Sequence, residues 1–129
     1  MTVVLDASAL IALIKGEPGH RRVSEALAGT AAMTTINFAE VATWIARRNG
    51  NERQIRSVLS DLSFPLTAVD ADLAVHMGLL ARLTAKSGLS LGDRACLALA
   101  RRMDAPALTS DRNWAEVAAA AGVEVELIR

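Results

Sequence analysis

The stretch VVLDASALIALI (residues 3–14) decides the fold. Its opening residues are β-branched or apolar without alternation, the pattern of a short strand buried on both faces. From Ala7 the apolar residues take helical spacing, and Gly16 offers the left-handed stop that ends a helix. The reading is therefore a strand over 2–6 that runs straight into a helix over 7–16. Asp6 stands at the junction. In a parallel α/β sheet that junction is the carboxyl end of a strand, where such folds present their ligands.

The rest of the chain repeats this alternation. Helices are expected over 20–29, 36–50, 51–63, 71–88, 92–103 and 112–122. Strands are expected over 31–35, 64–70, 105–111 and 123–128. Pro65 places the 64–70 strand at a start or an edge. The 92–103 helix is nearly all apolar and is expected to be buried. The fold class that follows is a three-layer α/β/α sandwich with a mainly parallel central sheet of four to five strands. No linker, repeat or low-complexity segment interrupts it, so residues 1–129 are read as one domain.

Composition narrows the function classes. No apolar run approaches the roughly 20 residues of a membrane span. No basic stretch precedes the first apolar run, so a signal peptide is not expected. The single cysteine, Cys96, rules out an intramolecular disulfide and fits a reducing cytosol. The 14 basic and 14 acidic residues cancel, so bulk charge does not mark a nucleic-acid binder. Only Lys15 and Lys86 are lysines. The arginines include the pairs Arg21-Arg22, Arg47-Arg48 and Arg101-Arg102, which suit phosphate but equally suit solvated helix faces. Aromatic residues are 3% of the chain and tyrosine is absent, which argues against a base-stacking platform.

The carboxylates are more telling. Asp6, Asp70 and Asp111 end the first, third and fourth expected strands. Asp93 opens the buried helix, and Glu40 lies inside FAEVA. Each aspartate has a plain alternative as a helix cap. Asp70, followed by Asp72 in the same first turn, suits that role best. Glu40 stands in a helix interior and shares a face with Ile36, Asn37, Trp44 and Arg47; its plain alternative is a solvated face. Taken together, three acids at strand ends or helix starts and a fourth on a helix are expected to converge on one pocket, where like charges need a cation. Oxygen donors without Cys or His select Mg²⁺ or Mn²⁺. His20 and His76 lie on separate helices, so a zinc site is not expected. Carboxylate-held metal suggests in-line attack of water on phosphorus.

Four segments in this order, VVLDASALIALI, TTINFAEVA, LSLGDRACLALA and ALTSDRNW, resemble the PIN-domain ribonucleases. More narrowly, the chain is similar to VapC-type toxins of bacterial type II toxin–antitoxin pairs. The resemblance spans the whole chain. It implies an acidic quartet of Asp6, Glu40, Asp93 and Asp111, with Asp6, Asp93 and Asp111 as metal ligands. It implies Ser8 and Thr109 as hydroxyls beside the metal. It also implies Mg²⁺- or Mn²⁺-dependent endonucleolytic cleavage of RNA to 5′-phosphate and 3′-hydroxyl products, a homodimer and an inhibitory antitoxin protein. Arg47 and Arg94 are candidates for phosphate contacts by position alone.

Other readings fit less well. A haloacid-dehalogenase-like phosphatase wants a second Asp two residues after the first, where this chain has Ser8. A phosphoreceiver wants a lysine at a late strand end. A dinucleotide binder wants G-x-G-x-x-G after the first strand. A PIN-like module that binds RNA without cutting it remains the non-enzymatic alternative, and a metal-dependent phosphatase of α/β fold the enzymatic one.

Overall fold

A computed structural model describes residues 2–129. Strand β1 (Thr2–Leu5) leads into helix α1 (Ala7–Lys15), which Gly16 closes in the left-handed conformation. Helix α2 (His20–Ala28), strand β2 (Thr30–Ala32), helix α3 (Thr35–Arg47) and helix α4 (Glu52–Asp61) follow. Then come helix α5 (Ala71–Leu83), helix α6 (Leu91–Met103), strand β3 (Ala107–Thr109), helix α7 (Trp114–Ala121) and strand β4 (Val125–Leu127). Among the described residues, no helix is long and apolar enough to cross a membrane.

The four strands form one sheet in the order β2-β1-β3-β4, and every pairing is parallel. The buried runs at 3–5 and 107–109 are continuous because both sheet faces are covered. Alternate residues serve opposite cores. Val3, Leu5, Ala31 and Leu108 pack with α1, α2 and the Phe38–Val41 face of α3, and α4 lies against this group through Ile55 and Val58. Val4, Ala32 and Ala107 pack with α5, α6 and α7. The expected three layers follow directly.

Helix α6 is the hub of the second core. Ala95 to Ala100 are all buried, as its apolar sequence demands. Cys96 lies among them as a small apolar side chain, and burial raises its thiol pKa well above the ordinary value.

Two expectations need correction. Residues 64–70 do not form a strand. They contribute a single parallel bridge, Thr34 to Thr67, held by Thr67 N–H on the Met33 carbonyl (2.9 Å) and Thr35 N–H on the Thr67 carbonyl (3.0 Å). Pro65 has no N–H to extend the ladder, so the segment stays a strap along the sheet edge. The helix expected over 71–88 also stops early, at Leu83. Thr84 turns its hydroxyl onto the Leu80 carbonyl (2.6 Å), and a short 3-10 turn over Ala85–Ser87 follows.

Two arginines from the paired sets tie elements together. Arg22 on α2 forks onto the Glu126 carboxylate of β4 (2.5 and 3.0 Å), and Arg102 on α6 reaches Asp70 (3.1 Å), the N-cap of α5. Gly19, at φ +94°, starts α2 directly beneath the end of β4: a Cβ there would overlap the Ile128 carbonyl. Gly19→Ala is therefore expected to cost about 1–3 kcal/mol, combining a strained backbone with a clash against main chain. A thermal melt checks this, and an unchanged midpoint would show that the β4 end yields freely.

Candidate active site

The site is built where the sheet order reverses. From β1 the chain moves outward to β2 on one side, and β3 and β4 lie on the other, so a crevice opens at the carboxyl ends of β1 and β3. Asp6 follows β1 and Thr109 ends β3. The Asp6 amide donates to the Leu108 carbonyl (3.0 Å), which sets the Asp6 side chain across the seam.

Asp6 is the formal N-cap of α1, yet its carboxylate makes no capping bond. It turns toward β3 instead. Ser8 Oγ donates to Oδ2 (2.7 Å), and Thr109 Oγ1 donates to the same oxygen (2.9 Å). The two hydroxyls are themselves held by main chain, Ser8 Oγ accepting from Ser110 N–H (3.0 Å) and Thr109 Oγ1 from Asp111 N–H (3.1 Å). Each hydroxyl has one proton, and Asp6 takes both. The 3.1 Å approach of Ser8 Oγ to Thr109 Oγ1 is then a contact without a proton of its own. No side chain donates to Oδ1, which is left for a ligand.

Asp6 is only 5% exposed. Burial, opposed by the two hydroxyls and reinforced by the charge of Asp93, pushes its pKa up to about 6. Glu40 is half-buried, and its pKa is raised by burial first, then by Asp6 and Asp93. Three carboxylates, from the β1–α1 junction, from α3 and from α6, thus share one electrostatic environment. No arginine or lysine pairs with any of them among the described residues.

Asp93 is the third residue of α6 and half of a capping box. Its amide donates to Ser90 Oγ (3.2 Å), and its Oδ2 accepts from Ser90 N–H (2.9 Å). The capping alternative thus holds for one of its oxygens and leaves Oδ1 without a side-chain donor. Glu40 is not on a freely solvated face. Its carboxyl lies directly over Gly92, where any Cβ would overlap it. Asn37, fully buried one turn earlier on α3, donates from Nδ2 to Glu40 Oε1 (3.2 Å) and to the Gly92 carbonyl (2.9 Å). Thr34 Oγ1 completes the chain by donating to Asn37 Oδ1 (2.6 Å).

Of the expected metal ligands Asp6, Asp93 and Asp111, the last takes part in a turn. Asp111 Oδ1 accepts from Asn113 N–H (3.0 Å) and closes the turn into α7. It is linked to Asp6 only through its own amide on Thr109. Asp6, Glu40 and Asp93 act on one another electrostatically. Among the described residues, no three His, Cys, Asp or Glu side chains close into a ready-made ligand shell. The donor set still fits a hard cation: carboxylate oxygens, two of them without side-chain donors, around uncompensated negative charge.

Arg47 lines a groove of about 310 Å³ together with Glu40, Thr43, Trp44 and Arg48. Arg94 does not share that groove; it donates to the Met77 carbonyl (3.0 Å) and ties α6 to α5. Sequence reasoning missed Ser90, Asn37 and Gly92. The S-x-x-D spacing before α6 is a capping-box signal that identifies Ser90. Asn37 carries a weaker signal, a polar residue one turn before Glu40. Nothing local marks Gly92, because its neighbour is 52 residues away in the chain.

Comparison with known proteins agrees with this architecture. The sequence pattern of the PIN domain matches residues 3–120. The chain is similar to VapC ribonuclease Mb2780c of Mycobacterium bovis, 33% identical over 76 residues, or 56% of this chain and 58% of that one. The match thus covers little more than half the length of that relative. Its fold is that of a toxin–antitoxin complex component from Klebsiella pneumoniae (TM-score 0.75, 22% identity, 98% of each chain). It is also that of a chain of DNA-bound VapBC from Salmonella typhimurium (TM-score 0.77, 16% identity, 100% of this chain and 99% of that one).

The raised Asp6 pKa has a consequence for stability. A carboxyl that titrates near 6 when folded and near 3.8 when unfolded favours the fold below pH 4 and loses that contribution as pH rises through 6. In EDTA, the wild-type chain is expected to lose roughly 2–3 kcal/mol over that window from this group. Asp6→Asn is expected to flatten this part of the profile and to melt higher than wild type at pH 7.5. Melts of both chains across pH 4–8 check it; a less stable Asn variant at pH 7.5 would overturn it.

Proposed function

The chain belongs to the PIN domain family, and on that premise we propose that it is a metal-dependent endoribonuclease, the toxin of a toxin–antitoxin pair. The observation that carries the reading is the Asp6 carboxylate. It is buried at the strand switch, restrained through Oδ2, open at Oδ1, and faced by two further carboxylates without a paired cation. The resemblance to a VapC ribonuclease supports RNA as substrate, and the likeness to toxin–antitoxin components supports an antitoxin partner. A homodimer is part of the same proposal.

Asp6 and Asp93 would hold a Mg²⁺ or Mn²⁺ ion through their free oxygens, with Glu40 beside them; Asp111 would join through a side-chain rotation out of its turn. When bound, the cation supplies Lewis acidity, lowering the pKa of water and stabilising charge on the departing oxygen. The chain's own residues do the rest. Ser8 and Thr109 keep Asp6 in one orientation. Asn37 and Gly92 hold the Glu40 carboxyl at the mouth of the crevice. Glu40, held beside Asp6 and Asp93, is the candidate general base. The crevice needs no covalent nucleophile, and Cys96 is buried behind it.

Purified chain incubated with total RNA is expected to cleave with Mn²⁺ and not with EDTA, and Asp6→Asn is expected to be inactive. Cleavage surviving in the variant would overturn the assignment. Calorimetry with Mn²⁺ is expected to show binding that weakens at least tenfold in Asp93→Asn; equal binding would remove Asp93 from the site. Gly92→Ala retains every carboxylate but displaces Glu40. It is expected to cut cleavage tenfold or more through kcat, with a nearly unchanged melt, and full activity would show that Glu40 needs no fixed position.

A further inference from the structure

Of the three arginine pairs, two have a member held by an acid: Arg22 by Glu126 and Arg102 by Asp70. Among the described residues the Arg47-Arg48 pair has none. The same groove that begins at Glu40 is lined by Thr43, Trp44, Arg47 and Arg48. The Arg48 guanidinium lies over the Trp44 indole, Cζ 4.4 Å from the ring centroid. Trp44 is partly exposed, whereas Trp114 is fully buried. Trp44 and Arg48 also border a second groove with Ile14, Ile45 and Val58. Glu40 is thus shared between the acidic site and a cationic and aromatic groove along α3.

We propose that this groove is a subsite for an unpaired nucleotide of the RNA strand, next to the nucleotide being cut. Arg47 would take its phosphate, and Trp44 with Arg48 would stack its base. The proposal rests on the endoribonuclease reading and adds to it where the flanking strand lies. Arg47 is two helical turns from Glu40, about 10 Å along the axis. That spacing suits the phosphate of a neighbouring nucleotide. Charge complementarity favours RNA: the crevice itself repels a polyanion, and this groove carries two adjacent guanidinium groups that no acid pairs among the described residues. The shortage of aromatics excludes a multi-residue stacking platform but leaves this single position. A base paired in a duplex offers no free face to the indole, so the subsite selects single strands.

The test uses the Asp6→Asn chain in EDTA, titrated at low salt with a mixed-sequence single-stranded 12-mer oligoribonucleotide. Because Trp114 is buried, a fluorescence change on binding reports Trp44. Quenching is expected. By the anisotropy of the same 12-mer carrying a terminal fluorescein, Trp44→Leu and Arg48→Ala are each expected to weaken binding about tenfold, with Trp44→Phe restoring most of it. Arg47→Ala is expected to lower the slope of log K against log salt by about 0.7, the release from one single-strand phosphate contact. Melts of each variant confirm that it folds. RNA binding that is indifferent to Trp44, Arg47 and Arg48 would overturn the subsite while leaving the nuclease reading intact. No RNA binding by any form would overturn both. Quenching by an acidic peptide but not by the oligonucleotide would assign the groove to a protein partner and overturn the proposal.

Discussion

Two hydroxyls on one carboxylate oxygen hold the functional end of this molecule together. Ser8 comes from the first turn of α1 and Thr109 from the end of β3, and both donate to Asp6 Oδ2. A carboxylate that is almost wholly buried loses its hydration, and two hydrogen bonds restore only part of it. The remaining cost shows in the raised Asp6 pKa. The arrangement makes sense as preorganisation: one oxygen is immobilised by the two hydroxyls, and the other has no side-chain donor.

The other two carboxylates depend on how α3 crosses α6. That crossing is close because α6 offers Gly92 at the contact, so the Glu40 carboxyl rests on bare main chain. Asn37 then bridges the two helices with one amide group, donating to both Glu40 and the Gly92 carbonyl. Asn37 is fully buried, so its amide must find partners, and it finds them on exactly the groups that set the Glu40 position. Asp93 is oriented from its own helix by the Ser90 capping box. Each acid is therefore held by a different device: hydroxyls, a buried amide, and a helix cap.

Much of this was legible in one dimension. The strand-to-helix junction at Asp6 follows from an apolar run that changes its period at Ala7. The burial of α6 follows from apolar residues on nearly all its faces. The parallel sheet follows from the alternation of short strands and helices. These features depend on neighbours within a turn or two of the chain, where side-chain period and turn residues dominate. Where local pattern misled, a local group had a competing partner. Pro65 withheld a donor from the sheet, and the Thr84 hydroxyl ended α5 before the apolar pattern ran out.

Which acids act together was not legible in that way. Three aspartates at expected strand ends and helix starts, and Glu40 inside a helix, carried no local sign of which would meet. The folded chain couples Asp6, Glu40 and Asp93 and turns Asp111 into its own loop. The local pattern placed each acid on its element, because strand and helix formation are governed by near neighbours. The grouping rests on contacts across 52 residues between Glu40 and Gly92 and 103 between Asp6 and Thr109. Such contacts exist only once the two cores have packed on the sheet and fixed the helices against one another.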